Sequence, residues 1–408
     1  MLNTRALIIG FVIIHVVFLA ALLPTIITGN TLGDLPLYRW WAEQALNNNH
    51  WQGIDVPWVY PAGALIPIVG AQLLGSHLYL ALWFVMTTVL NGVGVLALTN
   101  KGHNKEGFTA AWWFLLLNVL LSPVALLRLE GITSPIVVLG LIILARRPVV
   151  ASLVLTLATW IKVWPAAVML AVVTAAKKRI AIIAAGAALS GLISIIVILA
   201  GGAANLTSFA TMQTDRALQL EAPITTPWVW LYSLGVPQIR SYFNHEISTR
   251  EVSGPGTELV SALMNPIMFA AIGAILVLML LALRKQSDRT PLILVGALGM
   301  VTAFFVFNKV GSPQYVLWVT PVIAVGLVYS VQFWRFPAII TAVIALLTTL
   351  IFPIFYMPLV AGEFYAVTLL TVRNVLLVVL LVWPIVKLCT MIRAPHPVSP
   401  TPKDPQSI

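Results

Sequence analysis

Ten polar or charged side chains stand at or near the ends of long apolar runs, and they combine carboxylates with cations. They are Asp34, Asp55, Arg128, Glu130, Lys162, Asp215, Arg216, Glu221, Lys309 and Gln314. Cations hold a phosphate through charge-assisted hydrogen bonds, and a positioned carboxylate takes the proton of a hydroxyl group. A site with both kinds of group suits a lipid-phosphate substrate that reacts with a hydroxyl.

Most of these residues also have a purely structural interpretation. Asp34 suits the N-cap of a helix that follows it, and Asp55 suits a solvated loop. Arg128 and Glu130 could form a local ion pair between two helices, and Lys162 could reach lipid headgroups. The residue types alone leave these alternatives open.

Two further segments differ in how well a structural role explains them. The spacing of Asp215, Arg216 and Glu221 favours a solvated interfacial helix. Lys309 and Gln314 instead flank a Gly/Pro break between two apolar runs. Irregular backbone at membrane depth is tolerated only where it lines a cavity, so this break indicates a site.

The elements that must position these residues are membrane helices. The chain has 408 residues, of which 60% are apolar and 9% charged, whereas soluble domains are about 45–50% apolar and about 25% charged. A soluble enzyme, a disordered chain and a nucleic-acid-binding domain are thereby excluded. The apolar runs predict an all-α polytopic membrane protein with about 12 spanning helices, within a range of 10 to 13. The single cysteine, Cys389, excludes an intrachain disulfide.

The charges predict which side each loop occupies. Alternating the sides puts most of the 23 basic residues in the cytoplasm, with only Glu106, Asp288 and Asp404 of the 13 acidic residues. This agrees with the rule that Lys and Arg concentrate in cytoplasmic loops. It predicts cytoplasmic termini, and it brings the candidate residues to the extracytoplasmic face.

Two large loops, 29–60 and 202–258, fall on that outer face. The first contains apolar residues at helical spacing after Pro36, which predicts an interfacial helix from Leu35 to Leu46. Residues 1–393 are predicted to form one integral membrane domain. The Pro-, Ser- and Thr-rich residues 394–408 are predicted to form a disordered cytoplasmic tail.

Metal or cofactor binding has no sequence support. The chain has no CxxC, no HExxH and no Gly-rich phosphate loop followed by Lys-Ser/Thr, and its six histidines are scattered. We expect activity without a metal or a cofactor. His15, within the first span, is expected to be a buried histidine bonded to a neighbouring helix.

Four segments carry a resemblance to a known family. They are Gly33-Asp34-x-x-x-Tyr38 with Asp55 and Tyr60-Pro61, then Ile161-Lys162-Val163-Trp164-Pro165, then Asp215-Arg216-Ala217-Leu218-Gln219-Leu220-Glu221, and Asn308-Lys309-Val310-Gly311-Ser312-Pro313-Gln314-Tyr315-Val316-Leu317-Trp318. With these the chain resembles the membrane glycosyltransferases of the C type (GT-C), in particular the actinobacterial family 87. Members of that family include polyprenyl-phosphate-mannose-dependent mannosyltransferases of the cell envelope.

The resemblance implies roles for the candidate residues. Asp34 would be the general base of an inverting transfer. The donor-phosphate-binding candidates are Lys309, Arg216, Lys162 and Arg128, and the substrate-binding candidates are Asp55, Tyr38, Tyr60, Glu221, Asp215, Gln314 and Tyr315. The implied product is a mannosylated lipid or envelope lipoglycan, made on the extracytoplasmic face of the cell membrane from polyprenyl-phosphate mannose.

Two other functions stay open. The same fold and family also serve polyprenyl-phosphoarabinose donors, so an arabinofuranosyltransferase is one alternative. A flippase or transporter of lipid-linked sugars is another, but it should carry polar residues in the middle of several spans. Here His15 and Arg373 are nearly the only such residues, which favours the enzyme.

Overall fold

The computed structural model describes residues 3–212, 216–245, 249–285 and 288–393, and most of them are helical. The predicted tail, 394–408, lies outside the described residues. The helices are α1 (Thr4–Ile27), α2 (Leu35–Asn48), α3 (Leu65–Gly70), α4 (Tyr79–Leu98), α5 (Lys105–Leu120), α6 (Val124–Leu127), α7 (Leu129–Ile143), α8 (Pro148–Ile161), α9 (Pro165–Ala175), α10 (Arg179–Leu199), α11 (Ser208–Thr211), α12 (Thr226–Ser233), α13 (Thr257–Leu283), α14 (Arg289–Val306), α15 (Val316–Tyr329), α16 (Val331–Thr349), α17 (Tyr356–Val360) and α18 (Phe364–Arg393).

Seven helical segments in the described ranges are long and apolar enough to cross a membrane. They are Thr4–Ile27, Ser76–Leu98, Arg179–Leu199, Thr257–Leu283, Arg289–Val306, Val331–Ile354 and Phe364–Arg393. Large apolar side chains such as Ile8, Val12 and Val16 of α1 are at least half exposed, as expected for a surface that contacts lipid. The prediction of a polytopic helical membrane protein is confirmed.

Four apolar helices are shorter: Leu129–Ile143, Pro148–Ile161, Pro165–Ala175 and Pro313–Tyr329. The 14 residues of α8 rise about 21 Å, less than the bilayer core of about 30 Å. Arg128 precedes the first of them, Lys162 follows the second, and Lys309 lies just before the fourth. These short helices therefore begin or end next to the polar candidates. Residues 61–75 contain a short 3-10 helix, Ala62–Ala64, and the six-residue α3, which are too short to span.

The core is built around α14 and α15. Nearly every side chain of these two helices is buried. α14 packs against α9, α13 and α18, and α15 packs against α5, α7 and α16. α7 and α15 begin directly after two of the polar candidate segments, so the packed core supports the site.

The two large loops agree with the prediction in one case and contradict it in the other. The predicted interfacial helix is confirmed as α2, which ends at Asn48 rather than Leu46. The segment after Asp215 is not helical, because Leu218–Gln219 (β1) joins an antiparallel sheet with Arg240–Asn244 (β2) and Thr249–Ser253 (β3), in the order β1-β3-β2. Pairing with β3, which helical spacing does not reveal, satisfies the backbone here.

Candidate active site

Asp34 begins α2, but its side chain does not cap that helix. No backbone N–H of the first turn of α2 donates to the carboxylate. The carboxylate instead forms an ion pair with Arg128, and the Tyr38 hydroxyl donates to Asp34 Oδ2 at 3.4 Å. The Asp34 side chain keeps about a quarter of its surface exposed. It is therefore held by a cation and a phenol while it stays accessible.

Arg128 and Glu130 do not form the local ion pair that their spacing allows. Arg128 lies between α6 and α7 and pairs with Asp34. Glu130, in the first turn of α7, is fully buried, and its Oε1 lies 3.1 Å from Lys162 Nζ at the end of α8. Both ion pairs join residues that are far apart in the sequence. Lys162 therefore pairs with a carboxylate within the protein.

Tyr60 links the two ion pairs, because it contacts both Tyr38 and Lys162. Its hydroxyl lies 3.4 Å from the Tyr38 hydroxyl, and Lys162 Nζ lies 4.2 Å from the centre of its ring. Trp58 packs edge-on against Tyr60 and is 2% exposed, so it is a buried residue and not part of an interfacial belt. We call Asp34, Tyr38, Tyr60, Arg128, Glu130 and Lys162 the Asp34 cluster.

A second group forms where β1 meets the loop after α14. The Gln219 backbone N–H donates to the carbonyl of Lys309 at 3.0 Å, and Gln219 Oε1 accepts from the Gly311 N–H at 2.8 Å. A Cβ on Gly311 would lie 2.3 Å from the carbonyl oxygen of Glu221, so only glycine fits at this position. The third and fourth segments of the family resemblance thus pack directly on each other.

Arg373 of α18 stabilises this contact between the β1 segment and the loop after α14. Its Nη2 donates to the carbonyl of Glu221 at 2.5 Å and its Nη1 to the carbonyl of Gly311 at 3.5 Å, and the residue is 1% exposed. Neither Arg373 nor Gln219 was predicted from the sequence as a site residue. An arginine inside an apolar run was the available signal for Arg373. We call Arg216, Gln219, Glu221, Lys309, Gly311 and Arg373 the Lys309 cluster.

Glu221 is buried in the same cluster. Burial raises the pKa of its carboxyl to about 7, and the Arg373 guanidinium and the Tyr356 hydroxyl only partly oppose this shift. Because the Glu221 side chain is 3% exposed, it does not face solvent. Its position beside Arg373 makes it part of the support for the loop.

A cavity of about 380 Å³ opens between the Lys309 cluster, the sheet and the start of α13. Arg216 and Lys309 line it together with Tyr242, Glu258 and Ser261. Lys309 Nζ donates to the carbonyl of Arg216 at 3.3 Å, and Lys309 is 4% exposed. Two cations and several hydroxyl or carboxylate groups therefore face one space, which suits a ligand that is both anionic and rich in hydroxyls.

Tyr315 lies between the two clusters. Its ring stacks on Trp318 with centroids 3.7 Å apart, and the charges of both Lys162 and Arg216 act on its hydroxyl. The turn Pro313–Tyr315 also packs against α6, which leads into Arg128. Gln314 Oε1 is buried with no hydrogen-bond partner among the described residues. The turn that contains Tyr315 therefore brings the segment after Lys309 close to the Asp34 cluster.

Not every candidate joins this site. Asp55 is exposed, and its Oδ2 accepts from the backbone N–H of Trp51 at 2.6 Å, as a loop residue would. Asp215 lies outside the described residues. His15 is buried and lies 3.5 Å from the Asn91 amide of α4, which confirms the predicted contact between helices. The described ranges hold no group of three or more His, Cys, Asp or Glu side chains arranged to hold a metal.

Comparisons with known proteins give distant similarities. No family model matches the chain, and no curated protein matches it. The crystal structure of ArnT from Cupriavidus metallidurans bound to undecaprenyl phosphate is similar over 94% of this chain and 78% of ArnT, with a TM-score of 0.47 and 13% identity. The apo structure of the same protein is similar over 90% and 76%, with a TM-score of 0.44 and 14% identity. Similarity at this level assigns neither a family nor a substrate.

Proposed function

We propose that this chain is a membrane glycosyltransferase of the GT-C type. It transfers a mannosyl residue from polyprenyl-phosphate mannose to a hydroxyl of a lipid-linked mannoside or envelope glycan. The observation that carries the proposal is the accessible Asp34 carboxylate, which is paired with Arg128 and linked to Lys162 through Tyr38 and Tyr60. The sequence resemblance supplies the choice of mannose and of family 87.

The reaction requires one base and one phosphate site. The acceptor oxygen attacks the anomeric carbon, the bond from that carbon to the phosphate oxygen breaks, and the sugar inverts through an oxocarbenium-like transition state. Asp34 takes the hydroxyl proton, and polyprenyl phosphate leaves with the bonding electron pair. Cations stabilise the charge that develops on the phosphate.

The phosphate and the donor sugar would lie between the two clusters. The cavity beside Arg216 and Lys309 has the volume for a headgroup of this kind. Glu130 neutralises Lys162, so Arg216, Lys309 and Arg128 are the stronger candidates for the phosphate. Tyr38, Tyr60 and Gln314 would contact sugar hydroxyls.

The site would face the extracytoplasmic side of the cell membrane. The distribution of Lys and Arg in the loops supports this orientation. A polyprenyl-phosphate sugar is then the suitable donor, because soluble nucleotide sugars are used on the cytoplasmic side. No metal or cofactor is part of the proposed reaction.

The test is sugar transfer by purified protein in detergent. Polyprenyl-phosphate mannose and a lipid mannoside are offered to the wild type, to Asp34→Asn and to Glu43→Gln, a matched acid-to-amide control on the same helix. We expect transfer by the wild type and the control, and a loss of at least about 100-fold in Asp34→Asn, the usual contribution of a positioned base.

Each other outcome overturns a specific part. Transfer by the wild type and Asp34→Asn at equal rates removes Asp34 as the base. Transfer only from a polyprenyl-phosphoarabinose donor replaces mannose by arabinose. No transfer from either donor, by protein with a sharp melting transition, overturns the glycosyltransferase and favours the flippase, which is tested by headgroup translocation in vesicles.

A further inference from the structure

We propose that Arg128 acts as a latch on the base, holding the Asp34 carboxylate until a donor phosphate competes for the guanidinium. The latch rests on the proposed function, because it assigns Asp34 as the base and a phosphate as the competing anion. Its consequence is that donor binding and the release of the base are the same event.

The contacts of Arg128 carry this inference. Its guanidinium pairs with Asp34, and in the described residues no other carboxylate lies within ion-pair distance of it. The Arg128 side chain is only 14% exposed, so water does little to weaken the pair. Asp34 and Arg128 are bound to each other. Asp34 therefore cannot act as the base, and Arg128 cannot bind the phosphate, until the two side chains separate.

The neighbouring charges make Arg128 the member of the Asp34–Arg128 pair that a phosphate can draw away. Glu130, two residues along, is bound to Lys162 at 3.1 Å, so Lys162 is not available to replace Arg128 at Asp34. The other titratable groups facing this pair are the phenols of Tyr38 and Tyr60, which are linked at 3.4 Å. The charge of Glu130 also acts on the Arg128 guanidinium, although these two residues do not form an ion pair.

Competition between two anions for one guanidinium has a measurable consequence. A carboxylate paired with a guanidinium is a weaker base than the same carboxylate alone. A phosphodiester binds Arg in a bidentate manner and is always charged near neutral pH. Two ligands that compete for one group are coupled with opposite sign, so removing one anion strengthens the binding of the other.

The first measurement is therefore binding without transfer. The probe is a polyprenyl phosphate methyl ester, a phosphodiester that carries no sugar, and the proteins are the wild type, Asp34→Asn, Arg128→Gln and the double variant. We expect Asp34→Asn to bind the probe about 5-fold or more tightly than the wild type, the lower end of usual coupling. Arg128→Gln and the double variant should bind equally weakly, and the exposed Arg335→Gln should bind like the wild type.

The second measurement is the pH dependence of transfer. The acid limb of kcat/KM reports the free enzyme, and that of kcat reports the complex with donor. In the wild type we expect the kcat limb at higher pH than the kcat/KM limb, because the donor has removed Arg128 from the base. In Arg128→Gln the two limbs should coincide, a change that loss of packing alone does not produce.

The outcomes separate the latch from the proposed function. Equal or weaker probe binding by Asp34→Asn overturns the latch, even if the wild type transfers mannose. Tighter binding by Asp34→Asn supports the latch even if no sugar donor is used. If Arg128→Gln does not fold, the comparison of Asp34→Asn with the wild type alone decides the question.

Discussion

At the scale of single residues, the central finding is that each charge of the Asp34 cluster is paired with a distant residue. The sequence placed Arg128 next to Glu130, but the fold pairs these two residues with Asp34 and Lys162 respectively. Buried charges are compensated in this way because an unpaired ion in a medium of low dielectric constant is costly. The pairs therefore set the geometry of the site as well as its charge.

The buried pair of Glu130 and Lys162 should be stabilising only as a pair. Glu130→Gln leaves Lys162 without its counter-ion, and removing one partner of a buried pair costs about 3–5 kcal/mol. We expect a clearly lower melting temperature in detergent for Glu130→Gln and for Lys162→Met. The double variant should recover part of the loss, and a strictly additive double variant would contradict the pairing.

Glu221 should give the protein a pH-dependent stability. Its pKa is raised from 4.5 to about 7 in the folded protein, so the folded state binds the proton more tightly. Stability from this group is complete below about 4.5 and is lost as pH rises toward and through about 7. We expect the melting temperature of the wild type to fall across this range and that of Glu221→Gln to fall less. The exposed Glu106→Gln should behave like the wild type.

At the scale of elements, short helices and close loop packing build the site. α7, α8 and α15 end or begin at polar residues, and β1 lies against the loop that contains Lys309. Arg373 holds that contact by two hydrogen bonds. Gly311 allows the close approach because it has no side chain.

Gly311→Ala tests this contact. The added methyl would overlap the Glu221 carbonyl, so the loop must move and carry Lys309 with it. We expect at least about a 10-fold loss of transfer, because small displacements of positioning groups are costly. Gly273→Ala on α13, where a Cβ meets nothing within 4 Å, is the matched control and should keep full activity. Equal activity of the two variants would show that the contact is not needed.

At the scale of the whole molecule, the distribution of charge predicts the orientation in the membrane. Because Cys389 is the only cysteine, Cys389→Ser gives a clean background for labelling. In that background, Asn47→Cys on α2 should react with an impermeant maleimide added outside intact cells. Lys177→Cys, between α9 and α10, should react only after the membrane is opened. The reverse pattern would contradict the proposed orientation.

The sequence by itself determined the class of protein and indicated most residues of the candidate site. An apolar content of 60% and continuous apolar runs of about 20 residues indicate membrane helices, since a helix satisfies the backbone of such a run within the segment itself. Helical spacing also located α2, and the breaks between apolar runs located Arg128, Lys162 and Lys309. These features are local, so they can be recognised from neighbouring residues alone.

Only the tertiary structure decided which of these residues meet. Three contacts join segments that are distant in the sequence. They are the pairing of Asp34 with Arg128, the pairing of strand Leu218–Gln219 with β3, and the hydrogen bond from Arg373 to the Glu221 carbonyl. Helical periodicity reports which face of a segment is apolar, and it carries no information about partners from other segments. For that reason the sequence predicted an interfacial helix after Asp215 where a strand is found. The assembly of the site was likewise set by packing around α14 and α15.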